Sequence, residues 1–137
     1  MEHHPVAAAI ATIIAGRDPR RLAVALTATA RLRALLPGGP IEAHGRDDVA
    51  ARFHGFFADF DTVRLVDSAG EAVGDRLLVH YRLHVTQAAT RWVCTQTAVC
   101  RFVDGRLAVI DMVCSGFREI GESDDDIAAP SGAMHVG

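Results

Sequence analysis

The sequence predicts an α+β fold, with helices in the first half of the chain and a long antiparallel sheet in the second half. Before residue 61, apolar residues recur at helical spacing in three segments, whereas from residue 62 polar and apolar residues alternate over long segments. The chain has 137 residues, of which 50% are hydrophobic and 23% charged, as is typical of one globular domain. We expect this domain to span residues 1–120 and the polar residues 121–137 to form a flexible tail.

The first helix is predicted over residues 6–15, where apolar side chains repeat every three to four positions. The second begins at Asp18, a capping residue followed by proline, and its apolar stripe continues to Thr29. The third opens after Gly45 with acidic residues in its first turn. Four of the six phenylalanines share one face of this helix, so we expect that face to cover the sheet. The apolar face carries Val49, Phe53, Phe56, Phe57 and Phe60.

Extended segments are predicted at residues 32–36, 41–44, 62–67, 76–85, 90–103 and 107–117. Turns are expected at residues 67–70 and 104–105, because both contain aspartate and glycine. In the segment 76–85, alternate residues from Leu77 to Val85 are apolar and include Tyr81, whereas arginine and histidine mostly fill the positions between them. This alternation is typical of a strand with one buried and one solvated face.

The composition excludes several classes of function. A net charge of -3 without a basic cluster argues against nucleic-acid binding, and no apolar segment approaches the ~20 residues of a membrane span. The N-terminus lacks the positive region of a secretory signal, so we expect a cytoplasmic protein whose three cysteines are free thiols. No nucleotide-binding glycine motif or zinc-ligand spacing is present, and we expect no cofactor and no metal site. On a strand, His80 and His84 would lie about 13 Å apart, too far to share an ion.

Several short motifs follow one another in a fixed order along residues 5–120. They are Ala15-Gly16-Arg17-Asp18, Leu35-Leu36-Pro37-Gly38, Gly45-Arg46, Asp104-Gly105-Arg106-Leu107 and Cys114-Ser115-Gly116-Phe117-Arg118. Together with the order of helices and strands, they resemble the nuclear transport factor 2-like superfamily, also called the SnoaL-like domain. The resemblance implies a sheet bent into a cone around about three helices, with an apolar pocket at the open end, and frequent homodimers. That superfamily includes ketosteroid isomerases, polyketide cyclases, epoxide hydrolases and non-catalytic binding modules, so the fold alone does not assign a function.

The resemblance also indicates where an acid–base site would lie. It places the catalytic aspartate of the isomerases at Leu36, their oxyanion-binding acid at Ala98 and their helical tyrosine at Ile10. It places the acid of the epoxide hydrolases near Met112. All four residues are apolar, so we expect the isomerase machinery to be absent.

Asp111 is the acid of the last predicted strand, and the turn at residues 104–105 decides which way it faces. A two-residue turn pairs Val103 with Arg106 and makes Asp111 an inward-facing candidate for the catalytic base. A three-residue loop pairs Phe102 with Arg106 and turns Asp111 outward. We favour the three-residue loop because it avoids burying an unpaired carboxylate. It gives an uncharged inner face formed by Ala108, Ile110, Met112 and Cys114.

The three-residue loop also places Cys94 opposite Cys114 and Gln96 opposite Met112. We interpret the two cysteines as inert buried thiols, since no basic group is placed to lower a thiol pKa. The predicted ligand pocket is lined by Phe53, Phe57, Tyr81, Trp92, Cys94, Gln96, Met112 and Cys114.

Three functional hypotheses follow. The favoured one is a homodimer that binds a small apolar molecule in the conical pocket. The second is an enzyme of the isomerase, cyclase or hydrolase type that uses Asp111, or a residue at the pocket mouth such as His54, as its base. The third is a dimerisation or scaffold module whose cavity has no ligand.

Overall fold

A computed structural model describes residues 1–121 of the chain. The predicted tail, residues 121–137, therefore lies outside the described residues except for Gly121. The elements, in chain order, are α1 (Pro5–Ala15), α2 (Pro19–Val24), β1 (Leu26–Leu36), β2 (Gly39–His44), α3 (Arg46–Phe57), β3 (Thr62–Val73), β4 (Arg76–Gln87), β5 (Thr90–Val103), β6 (Arg106–Cys114) and β7 (Arg118–Glu119).

The strands form one curved sheet in the order β2-β1-β6-β5-β4-β3, and β7 pairs with the start of β5. Every pairing is antiparallel except that of β1 with β6, which is parallel because the chain passes through β2, α3 and three strands before it returns beside β1. Helix α1 packs on β3 and β4, α3 packs on β1 and β2, and α2 packs on α3. The α+β cone predicted for this chain is confirmed, with three helices filling the inside of the sheet.

The predicted cap of α2 is confirmed, because the Asp18 carboxylate accepts hydrogen bonds from the backbone N–H groups of Arg20 and Arg21. The prediction that this helix continues to Thr29 is wrong, since the helix ends at Val24 and β1 begins at Leu26. The Ala25 carbonyl accepts a hydrogen bond from the N–H of Leu107 at 2.8 Å, so β6 binds the backbone where the helix would otherwise continue. Tertiary pairing thus outweighs the helical spacing of the apolar residues.

The turn predicted at residues 67–70 is also wrong, because β3 runs through it from Thr62 to Val73. The chain reverses instead at Gly74, whose φ is +60°. Gly70 has a different role, since a β-carbon there would lie 2.6 Å from the Ala7 β-carbon and 3.2 Å from the Leu78 carbonyl oxygen. Glycine at position 70 therefore allows α1 to lie directly on the sheet.

The last predicted strand, residues 107–117, is shorter than expected, because β6 ends at Cys114. Gly116 then adopts a φ of +76°, a left-handed conformation that a strand cannot contain. The chain turns back here, and Arg118 pairs with Val93 of β5. This return places β7 beside the start of β5.

Candidate functional site

The hairpin between β5 and β6 closes with a two-residue turn. Val103 pairs with Arg106, and the two turn residues Asp104 and Gly105 have φ values of +53° and +79°. These values are typical of a type I′ turn. The predicted three-residue loop is therefore wrong.

A β-bulge directly after the turn determines which residues of β6 point into the cone. Phe102 pairs with Leu107 but Arg101 pairs with Val109, so Ala108 is an extra residue on β6. The bulge shifts the register by one residue, which exchanges the two faces of the strand from that point on.

Asp111 consequently lies on the outer face of the sheet, opposite Val99. Its Oδ1 accepts a hydrogen bond from Arg33 Nε at 2.8 Å, and the two side chains are 40% and 52% exposed. An exposed ion pair of this kind adds little to stability, because water screens it. Asp111 is not placed to act on a molecule inside the cone.

The predicted partners across the hairpin are wrong by two residues. Gln96 pairs with Cys114, and Ala98 pairs with Met112. Cys94 is therefore a diagonal neighbour of Cys114 rather than its direct partner. Two differences each shift the register by one residue. The turn has two residues rather than three, and β6 contains the bulge at Ala108.

The inside of the cone contains an enclosed, apolar cavity between the helices and β4, β5 and β6. Its volume is about 10 Å³, so the gaps between its side chains hold about one water molecule. The lining residues are Ile10, Ile14, Leu22, Phe53, Val79, Tyr81, Ala98, Cys100, Leu107 and Ile110.

Two polar groups in the cavity wall remain uncharged at neutral pH. Burial raises the pKa of the Cys100 thiol to about 12, with a smaller contribution from Asp111. Burial also raises the pKa of the Tyr81 hydroxyl well above its usual value. The cavity therefore offers a ligand an apolar, neutral surface.

The Tyr81 hydroxyl points to a small polar cluster beside the cavity. It donates a hydrogen bond to Gln96 Oε1, and Gln96 Nε2 donates to Cys114 Sγ at 3.4 Å. Gln96 is 1% exposed. Within residues 1–121 it is the one buried residue with an amide or charged side chain. The cluster satisfies this buried amide, as a buried polar group requires.

The predicted pocket residues divide into three groups. Phe53 and Tyr81 line the cavity. Cys94, Gln96 and Cys114 form the adjacent polar cluster. The remaining three lie away from the cavity: Phe57 packs against Phe56 and Phe117, Trp92 is half-buried near β7, and Met112 is buried opposite Ala98.

Most of the lining was missed from the sequence. The helical side chains Ile10, Ile14 and Leu22 belong to apolar stripes that also form ordinary core. Val79 shares the inward face of β4 with Tyr81, and this common face was the signal that could have identified it.

A shallow hollow on the outside, between the three helices, adjoins the cavity. Ile14, Leu22 and Phe53 line both spaces, so these three side chains separate the cavity from solvent. Arg17 and the exposed His54 lie around the hollow. We call Ile14, Leu22 and Phe53 the gate residues.

Arg17 fixes the outer side of this hollow. Its guanidinium donates hydrogen bonds to the carbonyl oxygens of Phe60 at 2.6 Å, Asp61 at 3.2 Å and Phe57 at 3.3 Å. Phe57 is the last residue of α3, and Phe60 and Asp61 follow it in the segment that leads to β3. Arg17 thereby ties the loop between α1 and α2 to the helix that carries Phe53.

The two strand histidines have separate partners. His80 Nδ1 lies 2.8 Å from Thr97 Oγ1, and His84 Nδ1 lies 3.4 Å from Arg64. In residues 1–121, no three histidine, cysteine or acidic side chains converge as metal ligands would. The helices of this part of the chain are also too short or too polar to cross a membrane.

Solved structures similar to this chain share its fold at low sequence identity. AusH from Aspergillus nidulans is 16% identical, with a TM-score of 0.64 and 80% of each chain covered. A hypothetical protein with a ketosteroid isomerase-like fold from Catenulispora acidiphila, solved with trimethylamine, is 17% identical with a TM-score of 0.62, covering 77% of this chain and 81% of that one. A phenazine biosynthesis-related protein from Pseudomonas aeruginosa is 11% identical with a TM-score of 0.59, covering 81% of this chain and 84% of that one.

No curated protein matches the sequence at a significant level. The family model of the SnoaL-like domain matches residues 6–110, which is most of the chain. That match runs from α1 into β6, so it includes the three helices and strands β1 to β5. The chain belongs to the SnoaL-like domain family.

Proposed function

We propose that the protein binds a small, uncharged, apolar molecule inside the cone. The observation that carries this proposal is the cavity inside the cone, which is lined by apolar side chains and by two neutral polar ones. Pockets for small molecules are mainly apolar with a few polar groups. The ligand class is therefore a compact, flat or branched hydrocarbon-like molecule with at most one or two hydrogen-bonding groups.

Entry requires the gate residues to move. Leu22 and Phe53 separate the cavity from the hollow between the helices, and both belong to short helices at the cone mouth. The narrow gaps inside the cavity mean that the ligand would also displace side chains as it enters. Rotation of these side chains costs less than separation of the strands, because no hydrogen bond of the sheet is broken.

The enzyme hypothesis has less support. Asp111 lies on the outer face in an ion pair with Arg33, and His54 is exposed at the hollow rather than in the cavity. Acid–base chemistry in the cavity requires a group in its wall that titrates near neutral pH, whereas the pKa values of the two polar groups in the wall, Tyr81 and Cys100, are raised. The narrowness of the gaps is the observation that supports the third hypothesis over the enzyme. In that hypothesis the protein is a dimerisation or scaffold module, and the inside of the cone is packed core that binds no ligand.

A substitution that fills the cavity separates ligand binding from a packed core. We expect Ala98→Leu to weaken binding of indole at least about tenfold, because leucine occupies space next to Tyr81 and Cys100. Binding is measured from chemical-shift changes in the NMR spectrum of the labelled protein during titration with indole, followed by toluene. Ala51→Leu, on the exposed face of α3, adds the same atoms outside the cavity and is expected to bind like the original chain.

The outcomes are distinct. If neither indole nor toluene shifts the resonances of the cavity residues, the binding proposal is contradicted and the packed-core module stands. If Ala51→Leu weakens binding as much as Ala98→Leu, the probe binds somewhere other than the cone. Thermal unfolding of both variants checks that the core accepts the larger side chain, since overpacking costs about 1–3 kcal/mol.

The proposal includes a homodimer formed through the outer face of the sheet. Leu35, Val99 and Val113 are 53%, 40% and 58% exposed and surround the groove that contains Arg33 and Asp111. Clustered exposed apolar side chains beside an opposite pair of charges form a surface that is complementary to itself across a two-fold axis. A second copy of this chain is the partner that such a surface fits.

Val113→Asp is expected to convert the dimer to a monomer, because it places a carboxylate in the apolar part of each half of the contact. Sedimentation velocity over a range of protein concentrations gives the oligomeric state. Val24→Asp, at the end of α2, changes a residue that is 71% exposed away from this face and should leave the dimer intact. A monomeric original chain at high concentration would contradict the dimer.

A cytoplasmic location is also part of the proposal. Its support is that the described cysteines, Cys94, Cys100 and Cys114, are all free thiols, as is usual in a reducing compartment.

A further inference from the structure

The two sulfur atoms of Cys94 and Cys114 lie in contact inside the sheet. Cys94 is near the start of β5, Cys114 is the last residue of β6, and the two Sγ atoms are 3.7 Å apart. Cys94 is fully buried, whereas Cys114 keeps 9% of its surface exposed. The pair belongs to the polar cluster and does not line the cavity.

Hydrogen-bond donors converge on the sulfur of Cys114. Gln96 Nε2 donates to it at 3.4 Å, and the backbone N–H of Gly116 donates at 3.5 Å. Either sulfur of the pair could donate to the other, and the two N–H donors on Cys114 favour Cys94 as the donor. Tyr81 holds the Gln96 side chain by donating to Oε1, which directs the amide N–H group toward the sulfur.

These donors favour the thiolate form of Cys114. The bond from Cys94 is the largest cause, and with Gln96 and Gly116 it lowers the pKa of Cys114 despite burial. The pKa of Cys94 is raised, because its S–H group donates to the neighbouring sulfur and because it is buried. The sequence predicts inert thiols because no basic group lies nearby, but neutral hydrogen-bond donors take the place of a cation here.

We propose that Cys94 and Cys114 form an oxidation site at which hydrogen peroxide produces an intramolecular disulfide between β5 and β6. The geometry suits this role, because Cys114 is the less buried of the two residues and the fully buried Cys94 lies in contact with it. Closing the bond requires the sulfurs to approach from 3.7 Å to about 2.05 Å. The end of β6 next to Gly116 is where the backbone leaves the sheet and permits this movement.

The reaction balances in two steps. The Cys114 thiolate attacks one oxygen of hydrogen peroxide, the S–O bond forms as the O–O bond breaks, and the departing hydroxide takes a proton from solvent to become water. The Cys94 sulfur then attacks the sulfur of the Cys114 sulfenic acid. The S–S bond forms as the S–O bond breaks, and the hydroxyl leaves as water with the Cys94 proton. Two thiols are thereby oxidised to one disulfide, and one peroxide is reduced to two molecules of water.

Cys100 provides a control within the same molecule. It lies on β5 as Cys94 does and is 1% exposed, but no hydrogen bond from residues 1–121 reaches its sulfur. Burial raises the pKa of its thiol to about 12. Cys100 should therefore remain a thiol under conditions that oxidise the pair.

The test is to treat the folded chain with hydrogen peroxide at neutral pH, remove the excess with catalase, then denature the protein and alkylate the remaining thiols. Mass spectrometry is expected to show the loss of two hydrogen atoms, a peptide linked through Cys94 and Cys114, and alkylation at Cys100 alone. A dithiol reductant should restore all three thiols. Cys100→Ser is expected to form the same disulfide at the same rate.

Variants at the pair separate the two steps. Cys94→Ser keeps the first step and should accumulate a sulfenic acid at Cys114, which dimedone traps. Cys114→Ser removes the reactive thiolate and should slow oxidation of the remaining thiols at least about tenfold. The proposal is overturned if Cys100 reacts as fast as Cys114 in the original chain, or if all three thiols survive until the protein is unfolded. This comparison within one chain requires no variant to fold.

Discussion

Replacing Phe57 with alanine is expected to lower the free energy of unfolding by about 3–5 kcal/mol. Phe57 is fully buried at the end of α3, and its ring makes edge-to-face contacts with Phe56 and Phe117 at centroid distances of 6.2 and 6.1 Å. Alanine removes both ring contacts and leaves a hole between the helix and the segment that follows β6. Urea denaturation of the two proteins, followed by circular dichroism, measures the loss.

Phe56→Ala is the matched control. Phe56 precedes Phe57 on the same helix but is only partly buried, so the same deletion should cost less than half as much. Equal losses of unfolding free energy for the two variants would show that the position in the helix, and not the burial of the ring, determines the loss.

The second large effect is expected at Gly70. Gly70→Ala should lower the free energy of unfolding by about 2–3 kcal/mol, because the added β-carbon overlaps Ala7 of α1 and approaches the Leu78 carbonyl oxygen. Neither contact is with the flexible end of a side chain, so α1 must move away from the sheet. Thermal and urea unfolding both report this change.

A compensating substitution tests the cause. Ala7→Gly alone costs about 1 kcal/mol as a glycine within a helix, but together with Gly70→Ala it removes the closest overlap and leaves the approach to the His4 β-carbon at 3.0 Å. We expect the double variant to be more stable than Gly70→Ala alone. The control is Gly55→Ala, where the β-carbon meets no atom within 4 Å, and it should leave stability unchanged or raise it. Additive losses in the double variant would contradict the contact between Ala7 and residue 70.

Much of the fold could be predicted from the sequence because its signals are local. Alternation along residues 76–85 and 90–103 identified β4 and β5, and the capping pattern at Asp18 identified the start of α2. The errors occur where a distant strand decides the local structure. Leu107 binds the Ala25 carbonyl and ends α2, and α1 requires a glycine at position 70 in a place that otherwise resembles a turn.

The candidate site was harder to predict for a different reason. Alternation tells which residues face inward, but it does not tell how deep in the cone each one lies. Gln96 and Cys114 face inward as expected, yet they contact each other beside the cavity, whereas Cys100 and Ile10 line it. The curvature of the sheet and the angle of α1 determine this depth, and both are products of the whole fold.

The bulge at Ala108 has an evolutionary consequence. If the same residues paired without the bulge, Arg101 would pair with Ala108, the faces of the rest of β6 would exchange, and the Asp111 carboxylate would turn from solvent into the cone. In this chain, a register shift of one residue therefore separates an uncharged interior from one that contains an acid, with no substitution at any site residue. Gain and loss of acid–base chemistry can then occur through changes in hairpin pairing alone, and sequence comparisons that align β6 without regard to the bulge will assign its residues to the wrong face.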